Sequence, residues 1–140
     1  MFVARMAAPT VPPSHRDLLD SDVAVLATIG PDGRPQLSAV WFLREDDHVK
    51  ISLHNGRQKT KNLLANPACN LFILDRAAPT RYLELRGDAE IAEDPDYEFA
   101  ARAGKKYGAD LREFDEGEPG RVVVTIRPVR INAVDVAAGD

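Results

Sequence analysis

Val23-Ala24-Val25-Leu26-Ala27-Thr28-Ile29-Gly30-Pro31-Asp32-Gly33 decides the architecture of this chain. A β-branched, apolar run of strand length ends in a cluster of turn residues. Its Asp-Gly pair is a strong hairpin signal, because both positions tolerate the backbone angles of a tight turn. Gln36–Leu43 is then the return strand. Alternation along it puts Leu37, Ala39, Trp41 and Leu43 on one face, and Gln36, Ser38, Val40 and Phe42 on the other. Glu45-Asp46-Asp47 forms an acidic turn. His48–Leu53 follows as a third strand, with Val49, Ile51 and Leu53 on one face.

Downstream of this meander a short helix begins near Lys59 or Thr60. It stops at Asn66-Pro67, since the residue before a proline is pushed out of the α region. Asn70–Leu74 is nearly continuous in apolar residues, which predicts a strand buried on both faces. Arg81–Ile91 alternates as a long strand, and Gly87 inside it predicts a bulge or a close backbone approach. Asp94-Pro95 reads as N-cap and first residue of a helix that runs to about Tyr107 and stops at Gly108. Asp110–Gly120 is an acidic loop. Arg121–Arg127 and Arg130–Val136 are two further strands, split by Pro128. Towards the N-terminus, Ser14 is placed to cap a short helix over His15–Asp20, and the Ala/Pro-rich segment before it reads as a flexible arm. The expected organisation is an arm over residues 1–13 and a single domain over 14–140. Six or seven mostly antiparallel strands, two or three short helices and no βαβ alternation make the fold mainly β, a small barrel closed by helices.

Composition narrows the function. The chain has 140 residues, 44% hydrophobic and 29% charged, as expected of one ordinary globular domain. It has no apolar run of about 18 residues, so no membrane span is expected. Met1–Thr10 carries Arg5 but no apolar core of a signal peptide, so a cytoplasmic setting is expected. The lone Cys69 excludes an internal disulfide and sits in an apolar run as a small hydrophobe. A net charge of −4 argues against nucleic-acid binding. His15, His48 and His54 lack ligand spacing, and no metal site is expected. No Gly-x-Ser-x-Gly, no phosphate-binding P-loop and no Gly-x-Gly-x-x-Gly occurs. The carboxylates of Glu113–Glu118 read as a solvated acidic face.

Against this acidic background, Arg57-Gln58-Lys59-Thr60-Lys61-Asn62-Leu63 stands out. From His48 to Leu74 there is no Asp or Glu, while Lys50, Arg57, Lys59 and Lys61 all lie there. The cations gather where a strand gives way to a helix, whose first N–H groups and positive dipole end attract anions. The stretch reads either as a phosphate cradle or as a solvated basic turn. On the second strand, Gln36, Ser38, Val40 and Phe42 place a polar pair before an apolar pair, which suits a ligand with a polar tail and a flat ring.

Val25-Leu26-Ala27-Thr28-Ile29, then Asp32-Gly33-Arg34-Pro35-Gln36-Leu37-Ser38, then Lys59-Thr60-Lys61-Asn62-Leu63 with Asn66-Pro67, together resemble the pyridoxamine 5′-phosphate oxidase-like, FMN-binding split β-barrel superfamily. Within it the chain is most similar to the deazaflavin-dependent oxidoreductases that use coenzyme F420. The resemblance runs from about Leu18 to Val136. It implies a homodimer with cofactor sites at the subunit interface. The cofactor phosphate would lie on Arg57, Lys59 and Lys61, with Thr60 and Asn62 beside them. The ring would lie along Gln36, Ser38, Val40, Trp41 and Phe42, with Ser52 and Leu53 lining the same groove. The implied activity is hydride transfer from reduced F420 to a small conjugated acceptor. Tyr82, Lys106 and Tyr107 are the candidates for a proton donor. An FMN-dependent oxidoreductase on the same fold, or a non-catalytic flavin- or deazaflavin-binding protein, are the alternatives. Lys50, Lys61 and Arg81 tilt the balance to F420, whose tail carries extra carboxylates, and Arg86 is a further candidate for holding it.

Overall fold

Seven strands form one antiparallel sheet in the computed structural model, which describes residues 8–136. In chain order the elements are a 3-10 helix, η1 (Pro13–Asp20), then β1 (Ala24–Ile29), β2 (Pro35–Val40), β3 (Leu43–Glu45), β4 (His48–His54), α1 (Gln58–Ala65), β5 (Ala68–Leu74) and β6 (Arg81–Glu93), followed by α2 (Glu98–Tyr107), a second 3-10 helix, η2 (Leu111–Asp115), and β7 (Arg121–Asp135). Most of the expected arm, residues 1–13, lies outside the described residues; within its described part Val11 packs against the core.

The predicted hairpin forms, with Thr28 opposite Gln36 and Ala24 opposite Val40. The return strand does not run on to Leu43. The sheet order is β2-β1-β5-β6-β7-β4-β3, so β2 and β3 are its two opposite edges. Only Trp41 and Phe42 connect them. The three steps from Val40 to Leu43 span about 11 Å at most, so the sheet must curl until its edges nearly meet. The result is a split barrel, and Trp41-Phe42 bridges the split.

Inward positions fill the barrel. Leu26, Ile51, Leu71, Ile73, Leu83 and Val124 are buried at its centre. β5 buries Cys69, Leu71 and Ile73 and leaves Asn70 and Phe72 half-exposed, so it is covered on one face and not on both. β7 is one strand through Pro128, because Gly87 pairs with Pro128 while Arg86 pairs with Arg130, and the extra residue bulges out. A Cβ on residue 87 would lie 2.1 Å from the Arg127 carbonyl oxygen, which is the close approach that requires glycine there.

The helix ends differ in detail from the sequence reading. No side chain caps η1, and the Ser14 hydroxyl bonds the His15 ring instead, at 2.8 Å. α2 begins at Glu98 and not at Pro95, but Asp94 still caps it, accepting from the amides of Phe99 (3.2 Å) and Ala100 (2.9 Å). Gly108 closes it in the left-handed conformation, as expected. Among the described residues no helix is long and apolar enough to cross a membrane.

Candidate functional site

A cleft of about 270 Å³ opens where the Trp41-Phe42 bridge, β4, the start of α1 and η2 converge. Its basic side is built by the end of β4. His54 ends that strand, and its carbonyl accepts from the Thr60 hydroxyl at 2.8 Å, which fixes the first turn of α1 against the sheet. Asn62, one turn later and buried, donates to Thr28 Oγ1 (3.0 Å) and to Gln36 Oε1 (2.7 Å), and accepts from Gln58 at 2.8 Å. Thr60 and Asn62 thus spend their polar groups on the protein, and what they hold in place is Arg57 and Lys59, which line the cleft.

These two cations suit an anion. No side chain caps α1 and no acidic residue stands in its first turn. Among the described residues neither Arg57 nor Lys59 forms an ion pair. Burial, with the neighbouring Arg57 charge, pulls the Lys59 amine below the ordinary lysine range. A partly desolvated, unpaired ammonium beside a second cation is the setting in which a bound phosphate gains most.

The opposite side is aromatic. Trp41 stacks flat on Tyr107, ring centroids 4.2 Å apart, and makes a T-shaped pair with Phe114 at 6.0 Å. The bridge beneath is gripped by α2. The Tyr107 hydroxyl accepts from the Phe42 amide (2.9 Å) and donates to the Phe42 carbonyl (3.0 Å), and the Lys106 ammonium donates to the carbonyls of Ser21 (2.6 Å) and Phe42 (2.8 Å). Burial lowers the Lys106 pKa and raises that of Tyr107.

Of the residues expected to hold a cofactor, the cleft brings together Val40, Trp41, Ser52, Leu53, Arg57 and Lys59. Phe42 is buried beneath it, under the Lys106 ammonium. Gln36 lies by Asn62 in a separate shallow depression, Ser38 is half-buried on β2, and Lys61 is on the exposed side of α1. Tyr82 packs on Phe72 on the outer face of the sheet, ring centroids 5.1 Å apart. Three cations read as tail-holding are engaged elsewhere: Lys50 pairs with Glu45, Arg81 is closed between Asp17 and Asp75, and Arg86 pairs with Glu84. Only Asp17, 64 residues before Arg81, is distant in sequence; the other partners lie two to six residues away.

The floor of the cleft was not foreseen. Arg121 is buried and makes a two-pronged ion pair with Asp115, both bonds 2.8 Å, while a third nitrogen reaches Ser52 O at 3.3 Å. Tyr97 donates to the same carboxylate at 2.6 Å. Asp115 is therefore not part of a solvated face. Burial opposes its ionisation, yet the Arg121 and Tyr97 bonds outweigh it and hold the pKa below the ordinary value. A sequence signal for this turn exists: Leu111 and Phe114, three apart, are the apolar residues of an otherwise acidic segment, and both line the cleft.

The model of the pyridoxamine 5′-phosphate oxidase family matches residues 11–135. Among solved structures, one named F420 reductase is 34% identical with a TM-score of 0.75, the match covering 87% of this chain and 98% of that one. A conserved hypothetical protein of Mycobacterium tuberculosis is 26% identical, with a TM-score of 0.74 over 96% of this chain and 90% of that one. The heme storage protein HutZ of Vibrio cholerae is 15% identical, with a TM-score of 0.67 over 90% of this chain and 96% of that one, and shares the fold alone. No curated protein sequence matches.

Proposed function

The chain belongs to the pyridoxamine 5′-phosphate oxidase family, and on that basis we propose that it is an F420H2-dependent reductase, a cytoplasmic homodimer that passes a hydride to a small conjugated acceptor. The observation that carries this reading is the cleft itself, lined by Trp41 and by Arg57 and Lys59, which form no ion pair among the described residues. The 34% identity to an F420 reductase over 98% of its chain supports the deazaflavin over a flavin.

F420H2, when bound, supplies the hydride. The protein's own residues then act by position and charge. Arg57, Lys59 and the free N–H groups of α1 hold the phosphate. Trp41, immobilised on Tyr107, offers a flat apolar face to a ring. Tyr107 and Lys106 have their polar atoms committed to the Phe42 backbone, so both act as supports of Trp41 and not as proton donors. Tyr82 lies on the outer sheet face, with Val25 and Leu74, and reaches a cleft only across a subunit interface.

The homodimer has support in that face. Leu37 is 67% exposed and pairs with Ala27, next to Val25, itself 36% exposed. Apolar side chains on an outward sheet face suit burial against a second copy.

Separate titrations of F420 and FMN, followed by cofactor fluorescence, test the proposal. Tight F420 binding and weak FMN binding support it. The reverse makes the chain an FMN-dependent oxidoreductase, and binding of neither reduces Arg57–Lys61 to a basic turn.

A further inference from the structure

η2 carries Phe114 out of an acidic loop and sets it edge-to-face with Trp41, the two planes 81° apart. A phenylalanine that is 56% exposed does little for the core of this chain. The loop beneath it, however, is firmly built. Asp115, the next residue, is anchored by Arg121 and Tyr97, and Asp110 caps the turn by accepting from the Arg112 amide at 3.0 Å. The rim on the other side is tied to the same loop: the Asn55 amide donates to the Gly120 carbonyl at 2.8 Å, and the His54 ring nitrogen Nε2 lies 3.3 Å from the Glu118 carbonyl. Phe114 is therefore exposed but held, with the buried Asp115–Arg121 pair next to it fixing the loop.

The cleft has a charged side and an apolar side. Its α1 side carries Arg57 and Lys59, whereas the η2 residues that line it are Leu111 and Phe114. An apolar wall suits a neutral ring and offers nothing to an anionic cofactor tail. We propose that Phe114 and Trp41 form an aromatic clamp for the neutral acceptor, making Phe114 a specificity-determining residue that favours flat, fully conjugated rings such as quinones over compact, puckered enones.

This inference rests on the reductase reading, and its test separates the two. Phe114→Ala and Phe114→Trp are compared with wild type using menadione and cyclohex-2-enone as acceptors. Losing one edge-to-face aromatic contact corresponds to about a tenfold weakening. Phe114→Ala is expected to raise the KM for menadione about tenfold, with kcat and the KM for cyclohexenone within about twofold, and Phe114→Trp to restore the menadione KM. The F420 Kd stays unchanged in both. Equal effects on the two acceptors, no effect on either, or a weakened F420 Kd overturns the clamp. Equilibrium dialysis of menadione against the cofactor-free protein gives a readout that does not need turnover. Weaker binding by Phe114→Ala than by wild type supports the clamp even if F420 fails to bind, and equal binding overturns it.

Discussion

The indole of Trp41 lies flat against the phenol of Tyr107, their planes 5° apart, while the Tyr107 hydroxyl holds both backbone polar groups of Phe42. One residue of α2 thus secures the two residues that bridge the split in the barrel. Phe42 has no sheet partner there, so its amide depends on that hydroxyl. Tyr107→Phe keeps the stacked ring and strands a buried N–H, which costs about 1–3 kcal/mol. Urea denaturation should show that loss, with the emission of the single tryptophan nearly unchanged before unfolding. An unaltered midpoint would mean that Lys106 alone secures the bridge.

Lys59→Ala should weaken F420 binding by about 1.5–3 kcal/mol, the scale of a charge-assisted hydrogen bond, or roughly ten- to hundredfold in Kd. Folding stability should hardly change, because Lys59 pairs with no carboxylate among the described residues. A large loss of stability with intact binding would remove Lys59 from the cradle.

The same side chain gives a pH dependence. Desolvation, reinforced by Arg57, lowers its pKa, so its charge is lost at a lower pH than the ordinary 10.5. Affinity for a phosphate-bearing ligand should therefore fall as pH rises into the alkaline range, starting earlier than an exposed lysine allows. Lys59→Arg should flatten the profile, since guanidinium stays charged throughout. A wild-type profile as flat as that of the Arg variant would show that the ammonium does not touch the ligand.

Much of the fold was readable because its signals are local. A β-branched run before Asp-Gly marked β1, alternation marked the faces of β2 and β4, and Pro67 stopped α1. The break at Trp41-Phe42 was hidden because the alternation of the sequence runs through it unbroken, while the chain changes its partner strand there from β1 to β4. Pro128 misled in the other direction, since a bulge opposite Gly87 accommodates it inside one strand. At the site, the basic turn was visible as a charge anomaly. Asp115 was not, because a buried carboxylate six residues before its arginine looks in sequence like its solvated neighbours Glu113 and Glu116.

The buried Asp115–Arg121 pair should govern acid stability. Asp115 has a folded pKa below the ordinary 3.8, so the native chain binds fewer protons than the unfolded one as pH falls through that region. Its contribution is fully present above the ordinary aspartate range and is lost as pH drops through the lowered folded value. Asp115→Asn leaves a buried guanidinium without its counter-charge, a loss of about 3–5 kcal/mol at neutral pH. The gap between wild type and variant, measured by urea denaturation, should narrow as pH falls below the ordinary aspartate range and the wild-type carboxylate protonates. A gap independent of pH would assign the loss to packing and not to charge.

Leu37 sits on an edge strand, points away from its own barrel, and is among the most exposed apolar side chains described. Leu37→Glu should leave the stability of the isolated barrel within about 0.5 kcal/mol, because no core contact is removed. If the outward face of β2 and β1 is the homodimer interface, burying a carboxylate there without a partner is costly enough to shift the assembly to monomers. Size-exclusion chromatography with light scattering reads this directly. F420 affinity should fall with the dimer, since the cleft of one chain lies open beside Trp41 and a second subunit would complete its wall. A wild-type chain that runs as a monomer, or a variant that stays dimeric with full affinity, would move the cofactor site away from any interface and leave the cleft of a single chain to hold it.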